Sequence, residues 1–287
     1  ALDGYVCGSG GRRSYGPSPG LCNRMAGQQG VIRVDERNTR DFFVRGGAAL
    51  KGNVTGQVTR TYGSRMAPMA PMSLYQLLDD AFREAQAYTD GPDGTFDPKN
   101  AVIARVLRRE IPFFVNAYTL RELERVIHLG EKYNLLLVLC GAFAVDRCAE
   151  SVMAHGWHVV LGDPAYFLNG LENQTDLEKL LALCRQGLKL SLGCSGDEGY
   201  PPGYDQLLWV AALMRRAGAT GAELMDMMTI NPATALGVEI QIGSLEVGKQ
   251  ADIILCRGNP ALRYDSKVEH TLVAGRHFYA REGAVLC

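Results

Sequence analysis

Four short apolar runs constrain this chain more than anything else in it: IPFFVN (111–116), LLLVLC (135–140), WHVVLG (157–162) and LKLSLG (188–193). Each is rich in Val, Ile, Leu or Phe, in the manner of strands buried on both faces. The stretches between them carry helix start signals. Thr119 with Glu122, Thr175 with Glu178 and Thr220 with Glu223 each fit the S/T-x-x-E capping box, in which side chains and amides of a helix N-terminus satisfy one another. Strand and helix alternating at this spacing predict repeated βα units, and hence a parallel sheet or a (β/α)8 barrel.

The first hundred residues are less regular. GSGGRRSYGPSPG (8–20) has little to bury and reads as an exposed loop. GVIRV (30–34) predicts a strand, SLYQLLDDAFREAQAY (73–88) an amphipathic helix, and TDGPDGTFDP (89–98) a turn-rich connector. Asn231-Pro232 predicts a helix cap followed by proline in the first turn. Beyond it, QADIILC (250–256) and HTLVAGRHFYA (270–280) predict short β segments. The expected division is a barrel over 1–237 and a small C-terminal β appendage over 238–287.

Composition narrows the partners. A chain of 287 residues, 47% of them hydrophobic, can bury a large core. Thirty basic residues against 31 acidic leave no electrostatic footprint for nucleic acid or an anionic membrane. No apolar stretch reaches the roughly 18 residues of a membrane-spanning helix, and the first residues lack a signal-peptide layout. Eight scattered cysteines with no CxxC read as free thiols, so the expected location is cytoplasmic.

The segment MMTINPATALGVEIQIGSLEVGKQADIILCRGNP (227–260) resembles the C-terminal signature of the amidohydrolase superfamily, specifically its imidazolonepropionase-like group. There a helix ending in NPA-x-ALG leads to G-x-LEVGK-x-AD and then to the β appendage. GGAALKGNVTGQVTRTYG (46–63), the SRM of 64–66 and AGQQGVIRV (26–34) are similar to stretches of the same group. The resemblance implies a TIM-type (β/α)8 barrel that hydrolyses C–N bonds, with metal ligands at the C-terminal ends of its strands. Such a site needs imidazole and carboxylate ligands to hold a Zn-type ion and activate its water.

Position by position, those ligands are changed here. The family's His-x-His on the first strand has no counterpart, and the barrel is expected to be incomplete or remodelled at its N-terminus. The aligned Glu position falls on Gly56, with Lys51 nearby. The fifth-strand His falls on Asn116, the second histidine of that motif on Tyr118, the sixth-strand His on Cys140 and the eighth-strand Asp on Ser195. The five histidines, at 128, 155, 158, 270 and 277, all lie away from the C-terminal ends of the predicted barrel strands.

Each remaining candidate has a plainer reading beside the chemical one. Cys140 and Cys194 could form a thiolate site or a nucleophile, but no neighbouring base is apparent, and buried cysteine is common. Asp197 and Glu198 could supply a displaced ligand or a general base, or could be solvated or cap a helix, as Asp163 is expected to do. Asn116, Tyr118, Cys140 and Ser195 could bind a ligand in a metal-free pocket, or simply fill the vacated cavity with groups easier to satisfy than bare metal ligands. The 8–20 loop lacks the order of a phosphate cradle.

The expectation is therefore a metal-free pseudoenzyme with a structural, assembly or regulatory role and no cofactor. The alternative is a metal-dependent hydrolase of amide, cyclic amide or imidazolone C–N bonds, with Zn or another divalent metal held by non-standard residues or by another chain. Exposed sheet edges predict a homo-oligomer or a hetero-oligomer with a related chain, without nucleic acid or membrane.

Overall fold

The structure, a computed structural model, describes residues 25–32, 43–62, 68, 70–88, 96–162, 175–193, 206–263 and 265–283. The loop at 8–20, Asp163, Cys194, Ser195, Asp197 and Glu198 lie outside these residues.

The four apolar runs form the strands β3 (Phe113–Ala117), β4 (Leu137–Gly141), β5 (His158–Leu161) and β6 (Lys189–Leu192). They pair in parallel and in chain order. Two earlier strands, β1 (Met25–Ile32) and β2 (Phe43–Asn53), extend the sheet to six strands in the order β1-β2-β3-β4-β5-β6. β2 joins β3 in parallel, and β1 runs antiparallel to β2. The described strands are thus a mixed six-stranded sheet that does not close into the eight-stranded barrel expected.

Side chains alternate across a strand, so each strand feeds two layers. Phe113, Val115, Leu137, Leu139, Val159, Leu161, Leu190 and Leu192 face the main core. That core is completed by α1 (Gly56–Tyr62), α2 (Pro71–Ala87), α3 (Pro98–Leu107), α4 (Leu120–Tyr133), α5 (Ala149–Ala154), α6 (Leu177–Arg185), α7 (Gln206–Arg216) and α8 (Gly221–Met228). Phe114 and Val138, on the opposite face, join a smaller cluster with Val31, Ala49, Ala233, Leu236, Val238 and Ile242. The two faces are therefore an outer, helix-covered one and an inner one.

The local signals explain most boundaries. Thr119 and Glu122 form the expected box at the start of α4, and Thr220 and Glu223 do so at α8. At α6 the expectation fails: Asp176 is the N-cap, accepting from the Lys179 N–H at 2.9 Å. Thr175 is drawn away because its hydroxyl donates to the Phe143 carbonyl at 2.6 Å. Gly130 lets α4 lie close to the sheet, since a Cβ there would meet Leu137 Cδ1 at 2.5 Å and Trp157 Cζ2 at 2.9 Å.

Asn231 also departs from its expected role. It sits inside the short helix α9 (Ile230–Ala235), whose N-cap is Thr229. Its amide donates to the Leu190 carbonyl of β6 at 2.7 Å. At the other end of α9, the Arg45 guanidinium of β2 donates to the Leu236 carbonyl at 2.9 Å and to the Gly237 carbonyl at 3.0 Å. Orphan carbonyls at a helix C-terminus attract a cation for this purpose. One turn and a half of helix thus ties β6 to β2 across the sheet.

A separate three-stranded antiparallel sheet, in the order β7-β8-β9, is formed by β7 (Ile253–Arg257), β8 (Lys267–Val273) and β9 (Arg276–Ala280). Among the described residues, no helix is long and apolar enough to cross a membrane.

Candidate functional site

In sheets of this kind the C-terminal strand ends carry the chemistry. Strand register shows which side chains meet there. Asn53 of β2 lies opposite Asn116 of β3, which lies opposite Cys140 of β4, then Val160 of β5 and Ser191 of β6. Register partners project to the same side of a sheet, and Val115 and Leu139 occupy the outer side. The row Asn53, Asn116, Cys140, Val160, Ser191 therefore lines the inner face. Two residues lower, Lys51, Phe114, Val138, His158 and Lys189 form the next row.

The upper row contains no Asp, Glu, His, Lys or Arg. Asn53, Asn116 and Ser191 are buried and Cys140 is half-buried. The Asn53 side-chain carbonyl accepts from the Thr55 N–H at 2.8 Å, turning the chain from β2 into α1. The Val54 N–H donates to the Asn116 carbonyl at 3.0 Å, which carries the β2–β3 ladder past the strand ends. Tyr118 is half-buried beyond β3, with its ring 5.5 Å from that of Phe143. Gly141, at φ +81°, leaves room for it, because a Cβ there would lie 2.4 Å from the Tyr118 ring.

Glu122 holds this rim in place. Its carboxylate accepts from the N–H of Tyr118 at 2.8 Å, of Thr119 at 3.0 Å and of Gly56 at 3.1 Å. The loops after β2 and β3 are thereby fastened to one charged group. Gly56 thus serves through its backbone. Lys51 lies one row below the rim, half-buried on the inner face.

A contact that the sequence did not announce joins the lower row to the upper. His158 Nε2 and the Ser191 hydroxyl are 2.6 Å apart, both buried. Burial, and then the charge of Lys189, pulls the His158 pKa from 6.5 to about 4, so the ring is neutral near pH 7. His158 opens β5 and belongs to the strand-start end of the sheet.

A catalytic divalent ion needs converging imidazoles, carboxylates or thiolates. The described upper row offers two carboxamides, a thiol and a hydroxyl. Among the described residues, no group of three His, Cys, Asp or Glu side chains could hold a metal ion. The described donor set does not fit the family's metal centre. Cys194, Ser195, Asp197 and Glu198 lie outside the described residues, so only Asn116, Tyr118 and Cys140 of the expected site are placed. The first and third share a row, and Tyr118 flanks it. Asn53 and Ser191 complete that row, though the sequence reading passed them over. Asn53 could have been found from the N-x-T turn that ends its strand.

Residues 97–277 match the model of the amidohydrolase family, and the chain belongs to that family. Within it the chain is imidazolonepropionase-like. It is 30% identical over 119 residues to imidazolonepropionase of Sphingopyxis alaskensis, covering 41% of this chain and 29% of that protein. It is 33% identical over 127 residues to imidazolonepropionase of Pseudomonas putida, covering 44% of this chain and 31% of that protein. The matched stretch thus spans under a third of either relative. The crystal structure of an amidohydrolase from Thermotoga maritima superposes with a TM-score of 0.81 at 26% identity, covering 91% of this chain and 70% of that one. This likeness gives the sheet and its helices a TIM-barrel-type fold.

Proposed function

We propose that this protein is a catalytically degenerate, metal-free amidohydrolase-like protein with a structural, assembly or regulatory role. The observation that carries the reading is the rim itself: Asn53, Asn116 and Cys140 stand side by side at the strand ends, and the resemblance aligns two of them, Asn116 and Cys140, with histidine ligands of the family. Carboxamides are weak ligands for a Zn-type cation, and a single thiol cannot replace an imidazole set. Without the cation no water at the rim is brought to a usable pKa. Asn53 bonds its own turn instead, which suits a rim maintained for shape.

An assembly role, as a homo-oligomer or with a related chain, is supported by the three-stranded sheet. Leu255, Val268 and Tyr279 are exposed on its strands, and its outer strands β7 and β9 each have one pairing partner among the described strands. Unpaired strand edges favour association.

A second reading keeps the family chemistry on amide, cyclic amide or imidazolone C–N bonds, with donors from Cys194, Asp197, Glu198 or another chain. What favours it is the placement of Cys140, a possible metal ligand, on the inner face at the end of β4. One experiment separates the two: elemental analysis of protein purified from zinc-, iron- and manganese-supplemented cultures, paired with assays on those substrates. Degeneracy is expected to give no turnover, and the same metal content in Asn116→Leu and Cys140→Ala as in the unaltered protein. Chelator-sensitive turnover, with a stoichiometric metal lost in Cys140→Ala, would overturn it.

A further inference from the structure

We propose that His270 and His277 form a two-imidazole site for a late first-row divalent cation, of the Cu(II), Ni(II) or Zn(II) class, that clips β8 to β9. The two rings belong to the two arms of one hairpin. Its turn, Ala274 at φ 50° and Gly275 at φ 75°, has the two positive φ angles of a tight two-residue connection. It is held in place because the Ala274 N–H donates to the Asp252 carboxylate at 2.7 Å and the Gly275 N–H donates to the Ala251 carbonyl at 2.8 Å. In the register, His270 faces Ala280 and His277 faces Leu272, with a bulge between Thr271 and Leu272. His270 is thereby brought diagonally across from His277.

The nitrogens converge. His270 Nδ1 and His277 Nε2 are 3.0 Å apart, with ring planes inclined at 59°. Two imidazoles on one ion, with metal–nitrogen bonds of about 2.0–2.1 Å, place their nitrogens roughly 2.8–3.4 Å apart for angles between a right angle and the tetrahedral one. The observed separation falls in that interval. Without metal, the contact is a hydrogen bond in which one ring donates and the other accepts. A cation would take the place of that hydrogen bond once the donating ring carries its N–H on its other nitrogen, leaving each ring one lone pair for the ion. Seating it requires the rings to tilt off the nitrogen–nitrogen line, and His277, on the exposed arm, can do so while His270, 4% exposed, anchors the site.

Imidazole donors select Cu(II), Ni(II) and Zn(II) over Mg(II) or Ca(II), and with water in the remaining positions Cu(II) should bind tightest. The bound ion would stabilise the hairpin by mass action. This site is apart from the inner-face row, so its metal says nothing of hydrolysis.

The test titrates the full chain with CuCl2 and ZnCl2, following calorimetry and the nitrogen hyperfine pattern of Cu(II) by electron paramagnetic resonance. His277→Gln changes an exposed residue and should preserve the fold; His270→Asn is the second variant. Since loss of an outer-shell partner alone weakens metal binding roughly 10–100-fold, either variant should weaken the tightest site by at least about tenfold. The two-nitrogen pattern should collapse to one. His128→Gln, on an exposed position of α4, should change nothing. Unchanged Cu(II) affinity in His277→Gln, or loss of the site in His128→Gln, would overturn the proposal.

Discussion

His158 shows how a single buried ring couples this fold to pH. In the native state, burial and Lys189 hold its pKa at about 4, whereas in the unfolded chain it returns towards 6.5. Between those values the unfolded chain binds the extra proton, so stability falls as pH drops from about 6.5 to about 4. The full effect is at most about 3.5 kcal/mol, from roughly 1.4 kcal/mol per pKa unit. Urea unfolding at several values across that window should show the midpoint declining with acidity, and His158→Gln should flatten the decline. Parallel slopes for the two proteins would remove His158 from the account. The sequence placed this histidine correctly at the start of a strand, but its partner Ser191 is 33 residues away and could be identified only by register.

At the scale of elements, α4 is where local chemistry and the candidate site meet. The Thr119–Glu122 box is written in the sequence, and it forms. What the sequence does not state is that the same carboxylate also accepts from Gly56, 66 residues earlier, and so fastens the loop after β2. Glu122→Gln keeps the shape but removes the charge and turns one acceptor into a donor facing backbone N–H groups. Hydrogen bonds to a charged group are worth roughly 1.5–3 kcal/mol, so a loss of about 2 kcal/mol and a lower Tm are expected in thermal unfolding. An unchanged Tm would mean that the three bonds are dispensable. Strands β3 to β6 were legible because each lies in a short run rich in Leu, Val, Ile or Phe. β2 was not named as a strand, since its FVRGGAALKGN carries three glycines and few β-branched residues, and is held by pairing on both sides. The caps went astray where a side chain found a distant partner: Thr175 with Phe143, and Asn231 with Leu190. For the site, the substituted strand ends were readable one by one, whereas their common row required the sheet.

For the whole molecule, stability should be unevenly distributed. The six-stranded sheet is buried on both faces by two apolar clusters, and none of the described residues of β7, β8 or β9 belongs to either. Contacts beside the small sheet include the Gln250 N–H to the Gln241 carbonyl, the turn at Ala274 and Gly275 to residues 251–252, and Ala261, which reaches the main core. Regions with little buried apolar surface open locally well below the global unfolding free energy. Hydrogen exchange should therefore find the ladder amides of Phe113–Ala117 and Leu137–Gly141 protected close to the global limit, and those of Ile253–Arg257 and Lys267–Val273 exchanging much sooner. Uniform protection across both sheets would show that they unfold together. Added Cu(II) should slow exchange across β8 and β9 while leaving β3 and β4 as they were, because a clip on one hairpin acts only on the opening it prevents.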